Sequence, residues 1–419
     1  MKSLKKVLCV VLIITLALQV AGCSQKDKNA EENTLSEVLE ESTSERSQTV
    51  SLPYIERHPT PDNYESMVGK VSKLPDAANG EIEIRSADLS QADLSGEFEN
   101  LLLTNYDSKT IWPDNLPEGF NPDKIMEICK DPGLGVRNLH KEGITGKNVG
   151  IAIIDQELLT KHEEYANQLK YYSENDYIKK EYPAQMHGAA VASIAVGKTC
   201  GVAPEASLYY ITENFMIGDF TGRVAEDINE LLDLNKMLKD DEKIRVISIS
   251  WGAEEKEGDG YKELKKAYQR ANEEGVFVIT TSLLEDDRED IKGVNFIGMH
   301  KDKLTDPNDF SVYGKAPWAE EMDLYKTDYL SIPMDNRCVA APTGVNDYAI
   351  FQSGGLSWSV PYLAGVYALA CQVKPDIDYK EFWEIALETA VANEKLDTII
   401  NPQGIVDKLK ESSSVENGN

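Results

Sequence analysis

Unbroken apolar runs, separated by stretches of helical period, dominate the middle of the chain. Val149-Gly150-Ile151-Ala152-Ile153-Ile154 has no polar member, as expected of a strand covered on both faces of a parallel sheet. Similar runs recur at Ser207 to Ile211, Val246 to Ser250 and Val276 to Thr280. Between the last three the period changes. Val224, Ile228, Leu231, Leu232 and Leu238, and then Tyr261, Leu264, Tyr268 and Ala271, fall at the spacing of one helix face. Strand–helix–strand alternation predicts an α/β fold, three layers deep, with a mostly parallel central sheet and helices on both faces. Reactive groups in such sheets gather at the carboxyl ends of strands. Asp155 stands at that place.

The ends have a different texture. Lys2, Lys5 and Lys6 precede an apolar stretch, Val7 to Val20, that is short for a permanent membrane span. It ends in Val20-Ala21-Gly22-Cys23, which resembles the lipobox of bacterial lipoproteins. The resemblance implies cleavage before Cys23, a lipid on that thiol, and residence on the outward face of a bacterial cell membrane. Residues 24–50 are rich in Glu, Ser, Asn and Gln, too polar to offset their ordering entropy, and read as a flexible spacer. The expected plan is therefore a signal peptide at 1–22, a lipid-anchored linker at 23–50, an extension or small subdomain at 51–138, the main domain at 139–408 and a polar tail at 409–419. Within the extension, Pro53, Pro59, Pro61 and Pro75 favour irregular chain. Ala87-Asp88-Leu89-Ser90-Gln91-Ala92-Asp93-Leu94-Ser95 looks like two pentapeptide units. Two units are too few to stack a coil, so the repeat is read as coincidence.

Composition narrows the function. The formal charge of −29 over 419 residues excludes nucleic-acid binding, which needs clustered Lys and Arg. The acidity leaves room for a structural calcium ion, but no segment has the spacing of a calcium loop. No other metal-ligand spacing and no organic cofactor motif occurs. Beyond Cys9 and Cys23, the cysteines Cys129, Cys200, Cys338 and Cys371 form no CxxC pair, and unpaired thiols are expected.

Three short segments carry the candidate chemistry: Ile153-Ile154-Asp155, His187-Gly188-Ala189-Ala190-Val191-Ala192, and Gly355-Leu356-Ser357-Trp358-Ser359-Val360-Pro361. An Asp, a His and a Ser are the inventory of an activated hydroxyl: Ser attacks, His takes its proton, Asp orients and stabilises the imidazole. Small residues after His187 let its helix pack closely. Ser357 is expected just before a helix starting near Val360, with Pro361 in the first turn, so that the helix terminus favours a developing oxyanion.

From about Leu139 to Val391 the chain resembles the subtilisin-like serine proteases. "GKNVGIAIID" is similar to the family's strand leading to its Asp, "HGAAVASIA" to its His helix, and "GGLSWSVPYLAGVYALA" to its Ser motif and long helix. The resemblance implies a subtilisin-like fold in which Asp155, His187 and Ser357 form the triad, and Ser250-Trp251-Gly252, in "VISISWG", pair with an extended peptide or protein substrate. His162, in "KHEEY", matches a His with a structural role. Two positions depart from the pattern. Gln156 and Glu157 follow Asp155 where a small hydroxyl residue and Gly are usual, so a second carboxylate near the triad is expected to raise the His187 pKa. Leu283 and Leu284 stand where the family has Gly-Asn, and Ser282 is the nearest substitute for the missing oxyanion donor. Losing that donor costs roughly 10²–10³ in turnover, the figure for this family's own Asn. The expected function is a surface-anchored serine endopeptidase, slowed in rate by that loss and unchanged in reaction class. The rival expectation is a pseudoprotease that keeps the groove to hold a peptide or protein partner.

Overall fold

The computed structural model describes residues 51–62, 69–175, 178, 181–215, 218, 220–252, 260–282, 289–326 and 328–416. Cys23 and the two segments around it lie outside the described residues. In chain order the strands are β1 (Tyr54–Ile55), β2 (Ile82–Glu83), β3 (Thr104–Asp107), β4 (Gly150–Asp155), β5 (Leu169–Glu174) and β6 (Ser207–Thr212). There follow β7 (Ile244–Ile249), β8 (Phe277–Thr280), β9 (Phe296–His300), β10 (Gly314–Lys315), β11 (Leu330–Pro333), β12 (Arg337–Ala340) and β13 (Tyr348–Phe351). The longer helices are α1 (Pro122–Lys130), α2 (Met186–Val196), α3 (Phe220–Met237), α4 (Tyr261–Glu273), α5 (Leu356–Val373), α6 (Tyr379–Glu388) and α7 (Pro402–Glu416).

Among the described residues, six parallel strands make the central sheet, in the order β1-β5-β6-β4-β7-β8. Every residue of β4 is buried, and alternation along it explains why. Ile151 and Ile153 pack with Ala189, Val191, Val360 and Ala364 of α2 and α5. Ala152 and Ile154 pack with Val224, Ile228, Leu231 and Leu264 of α3 and α4. The fold is thus mixed α/β, a large parallel sheet between two helical layers. A smaller sheet, β10-β9-β11, lies to one side.

The extension closes onto the main domain rather than beside it. Its strands β2 and β3 continue the hairpin β12–β13 in the order β12-β13-β3-β2. Its apolar residues, Ile84, Leu89, Leu94, Leu101 and Tyr106 among them, share one cluster with Cys338, Tyr348 and Ile350 of that hairpin. The pentapeptide pair is not a coincidence. Ala87, Leu89, Ala92 and Leu94 are all buried, while Asp88 and Asp93 each accept the N–H two residues on, from Ser90 and Ser95. Both units make the same turn because each has the same buried pair and the same Asx bond.

The tail boundary also moves. Helix α7 runs through residues 409–416, because Leu409 is fully buried and Lys410 lies 2.9 Å from Glu142. Cys129, Cys200, Cys338 and Cys371 are buried and unpaired.

Candidate active site

Asp155 ends β4 with no exposed surface. Its Oδ1 accepts the Gln156 N–H at 2.8 Å and lies 2.7 Å from His187 Nδ1. A carboxylate at that distance fixes the proton on Nδ1 and leaves Nε2 to accept. His187 is the second residue of α2, and its close seat depends on the next position. A methyl on Gly188 would meet the Gln156 carbonyl and come within 2.6 Å of the Tyr210 hydroxyl oxygen. Only glycine lets the helix approach so near β4. The imidazole keeps 23% of its surface exposed, enough to meet a substrate. Burial disfavours its charged form, but the Asp155 carboxylate and its hydrogen bond outweigh that and hold His187 above the ordinary histidine value.

Ser357 is the second residue of α5, which begins at Leu356 and not near Val360. Gly355, at φ 59°, turns the chain into the helix four residues earlier than expected. Pro361 therefore lies inside the helix rather than in its first turn. It has no N–H to give the Ser357 carbonyl four residues back. Ser250 supplies the missing donor: its hydroxyl donates to the Ser357 carbonyl at 2.8 Å. In return the Ser357 hydroxyl donates to the Ser250 carbonyl at 3.3 Å. Among the described residues, no hydrogen bond joins Ser357 to His187. The two are neighbours through Trp358, whose ring centroid is 5.5 Å from the imidazole.

Ser250, Trp251 and Gly252 leave the end of β7 beside this helix terminus. Trp251 is half-buried, stacked on Phe215 at 5.5 Å and edge-on to Phe220 at 4.2 Å between centroids. Neither phenylalanine stands out in the sequence, since an isolated Phe carries no local signal. Ser282 packs on the same edge: a methyl on Gly252 would lie 2.8 Å from both its amide nitrogen and its hydroxyl. Leu283 and Leu284 lie outside the described residues. His162 is buried, with Nε2 donating to the Asp347 carbonyl at 2.8 Å and Nδ1 accepting the Glu164 N–H at 3.2 Å. Among the described residues, no three His, Cys, Asp or Glu side chains are grouped to hold a metal ion.

Residues 146–282 match the model of the Subtilase family. That stretch is thus similar to a subtilase domain. The matched stretch contains Asp155 and His187 and stops short of Ser357. The chain is 26% identical over 189 residues to the major intracellular serine protease of Bacillus subtilis, covering 42% of this chain and 51% of that protein. It is 27% identical over 312 residues to a probable subtilase-type serine protease of Deinococcus radiodurans, covering 64% of this chain and 40% of the relative. It thus spans about half or less of these curated relatives. Among solved structures it is similar to fervidolysin from Fervidobacterium pennivorans, a keratinolytic enzyme related to subtilisin, at 16% identity and TM-score 0.49, over 66% of this chain and 45% of that one. It is also similar to the prenylagaramide maturation protease PagA, at 16% identity and TM-score 0.47, over 66% of this chain and 98% of that one.

One departure from the family pattern acts differently from the expectation. Glu157 is buried, 3% exposed. Burial pushes its own carboxyl up, as do Glu174 and Asp155, against relief from its own backbone N–H and Arg57. The shift at His187 is set chiefly by burial and by Asp155, without a contribution from Glu157. The Ser250–Pro361 relation was within reach of the sequence, as a Pro four residues after the candidate nucleophile.

Proposed function

We propose that this chain is a serine endopeptidase that cleaves peptide bonds through an acyl-enzyme. The observation that carries the proposal is the 2.7 Å contact of His187 Nδ1 with Asp155 Oδ1, made beside the helix terminus that holds Ser357. In this reading the Ser357 hydroxyl leaves the Ser250 carbonyl and gives its proton to His187 Nε2 once substrate is bound, since catalytic hydrogen bonds often tighten only then. Ser357 Oγ then attacks the scissile carbonyl, and His187 returns the proton to the leaving amine. A water deprotonated by His187 then attacks the acyl carbonyl, the bond to Ser357 Oγ breaks, and His187 returns the proton to that oxygen. The first-turn N–H groups of α5 and the helix dipole stabilise the oxyanion, with Ser282 as the second donor. An extended peptide lies along Ser250-Trp251-Gly252, its apolar side chains against Trp251, Phe215 and Phe220.

The same proposal anchors the protein outside the cytoplasmic membrane through a lipid on Cys23, supported by the lipobox-like sequence before it. A fluorophosphonate probe tests the chemistry. Wild-type protein is expected to be labelled and Ser357→Ala not. Absence of labelling in folded wild-type protein would favour a groove that only binds. For the anchor, Cys23→Ala is expected to lose fatty-acid incorporation.

A further inference from the structure

We infer that Asn105, on the N-terminal extension, is a positioning residue for the nucleophile, and that the extension is a permanent part of the catalytic unit rather than a segment to be released. The inference rests on the proposed role of Ser357.

The turn at residues 352–355 carries β13 into α5, and its backbone is held from two sides. From the main domain, the buried Asp335 takes the Gly354 N–H on Oδ1 at 3.2 Å, while its Oδ2 lies 2.8 Å from His300 Nδ1. The Asn336 N–H donates to the Gln352 carbonyl at 2.9 Å. From the extension, the buried Asn105 takes the Gln352 N–H on Oδ1 at 2.7 Å. Its amide group in turn donates to Glu81 Oε2 at 2.7 Å, which fixes which end of the side chain faces the turn. The ladder of β3 against β13 pairs Asp107 with Ala349 and Tyr106 with Ile350. Beyond those pairs, a side chain takes over from the backbone and catches the first N–H of the turn.

The chain from this turn to the nucleophile is tightly packed. Gly354 lies so close to the Trp358 indole that a methyl there would overlap it, and Gly355 needs its positive φ. Trp358 in turn sits against His187 and, edge-on at 5.7 Å, against Phe351. A shift at Gln352 therefore has no slack to absorb it before Ser357 and the imidazole. The extension is fixed at further points around the same hairpin. Lys109 donates to the Thr343 carbonyl at 2.8 Å, the Arg85 guanidinium lies 4.6 Å over the Phe351 ring, and buried Lys303 donates to the Leu102 and Thr104 carbonyls at 2.7 and 2.5 Å. A segment that supplies two strands of a sheet, most of a core and a hydrogen bond to the nucleophile's turn is not one whose loss leaves the turn intact.

The test compares full-length wild type with Asn105→Ala, Asn105→Leu, Glu81→Gln/Asn105→Asp and Lys109→Ala. Readouts are the rate of fluorophosphonate acylation, kcat and KM on a peptide substrate, and thermal unfolding. Asn105→Ala is expected to slow acylation and kcat about tenfold or more with KM little changed, since small misplacements of a reacting group cost up to about 10²-fold. The Glu81→Gln/Asn105→Asp pair keeps the acceptor for Gln352 with its supporting bond reversed, and is expected to recover most of the rate. Lys109→Ala is expected to lower the unfolding temperature and leave kcat alone. Should Asn105→Ala not fold, Asn105→Leu, which keeps the volume without the acceptor, is measured instead. A folded Asn105→Ala or Asn105→Leu protein acylated as fast as wild type would overturn the inference while leaving the peptidase reading intact. Wild-type protein that is folded and not labelled would overturn the peptidase reading itself.

Discussion

The pairing of Ser250 with the Ser357 carbonyl makes a quantitative claim that does not depend on catalysis. Pro361 leaves that carbonyl without its helical donor, and the Ser250 hydroxyl replaces it at 2.8 Å. Removing the hydroxyl in Ser250→Ala strands a part-buried acceptor, which costs about 1–3 kcal/mol. The site is near the helix end, so the lower half of that range is expected. Pro361→Ala restores an N–H at the right position and also loses packing of a buried ring. In that background the carbonyl has its own helical partner, and Ser250→Ala is expected to cost about 0.5 kcal/mol, the low end for one hydrogen bond. The two substitutions should therefore couple by about 1 kcal/mol. Urea unfolding of the four proteins of the cycle, all in a Ser357→Ala background to prevent self-digestion, measures this from midpoints at constant slope. Errors common to both Pro361 proteins cancel in the cycle. Coupling below about 0.3 kcal/mol, the scatter of independent sites, would refute the claim that the hydroxyl stands in for the missing N–H.

Other substitutions and pH changes have outcomes that the geometry also sets. Asp155→Asn should keep the fold but drop kcat by about 10⁴, because the imidazole loses its correct tautomer; a loss under about tenfold would sink the triad. His187 must be neutral to accept a proton and its pKa is held up by Asp155, so activity should fall as pH falls, with the midpoint of that limb above about 6.5. A kcat/KM profile with its acid limb centred below about 6 would contradict the contact. Gly188→Ala should lower both stability, by about 1–3 kcal/mol, and acylation rate, since the methyl collides with the Gln156 carbonyl and Tyr210. Burial lowers Lys303 to about 7, so between that value and the unfolded one at about 10.4 the unfolded chain binds the extra proton and stability rises with pH. The stability of wild type relative to Lys303→Met should therefore grow from about pH 7 to about pH 9.5, and a flat difference in denaturation midpoints would show the amine to be charged throughout.

What was legible in the sequence is what a contiguous stretch must satisfy by itself. The run Val149 to Ile154 announces a doubly covered strand because alternate residues face two different helical layers, and no position is left to water. Gly188 announces a close helix because the residue after His187 has nowhere to put a side chain. The start of α5 was misplaced for the opposite reason. Val360-Pro361 is a good local start signal, but the turn is set earlier by Gly355 and held by groups far away in sequence. Asn105 and Gln352 are 247 residues apart, and nothing near either reports the other. Glu157 failed similarly. Its neighbour in sequence is Asp155, yet its side chain answers mainly to burial, with Glu174 at the end of β5 and Arg57 just after β1 among its neighbours, both brought in from elsewhere. A nucleophile, a base and an orienting acid can be named from their own motifs, because each needs a particular residue type at a particular end of an element. The groups that hold those elements in register need only a donor or an acceptor at the right distance, which any of several residue types supplies from any part of the chain. The supporting shell is for that reason the place where structure adds most to sequence, and where substitutions in this chain are expected to separate turnover from binding.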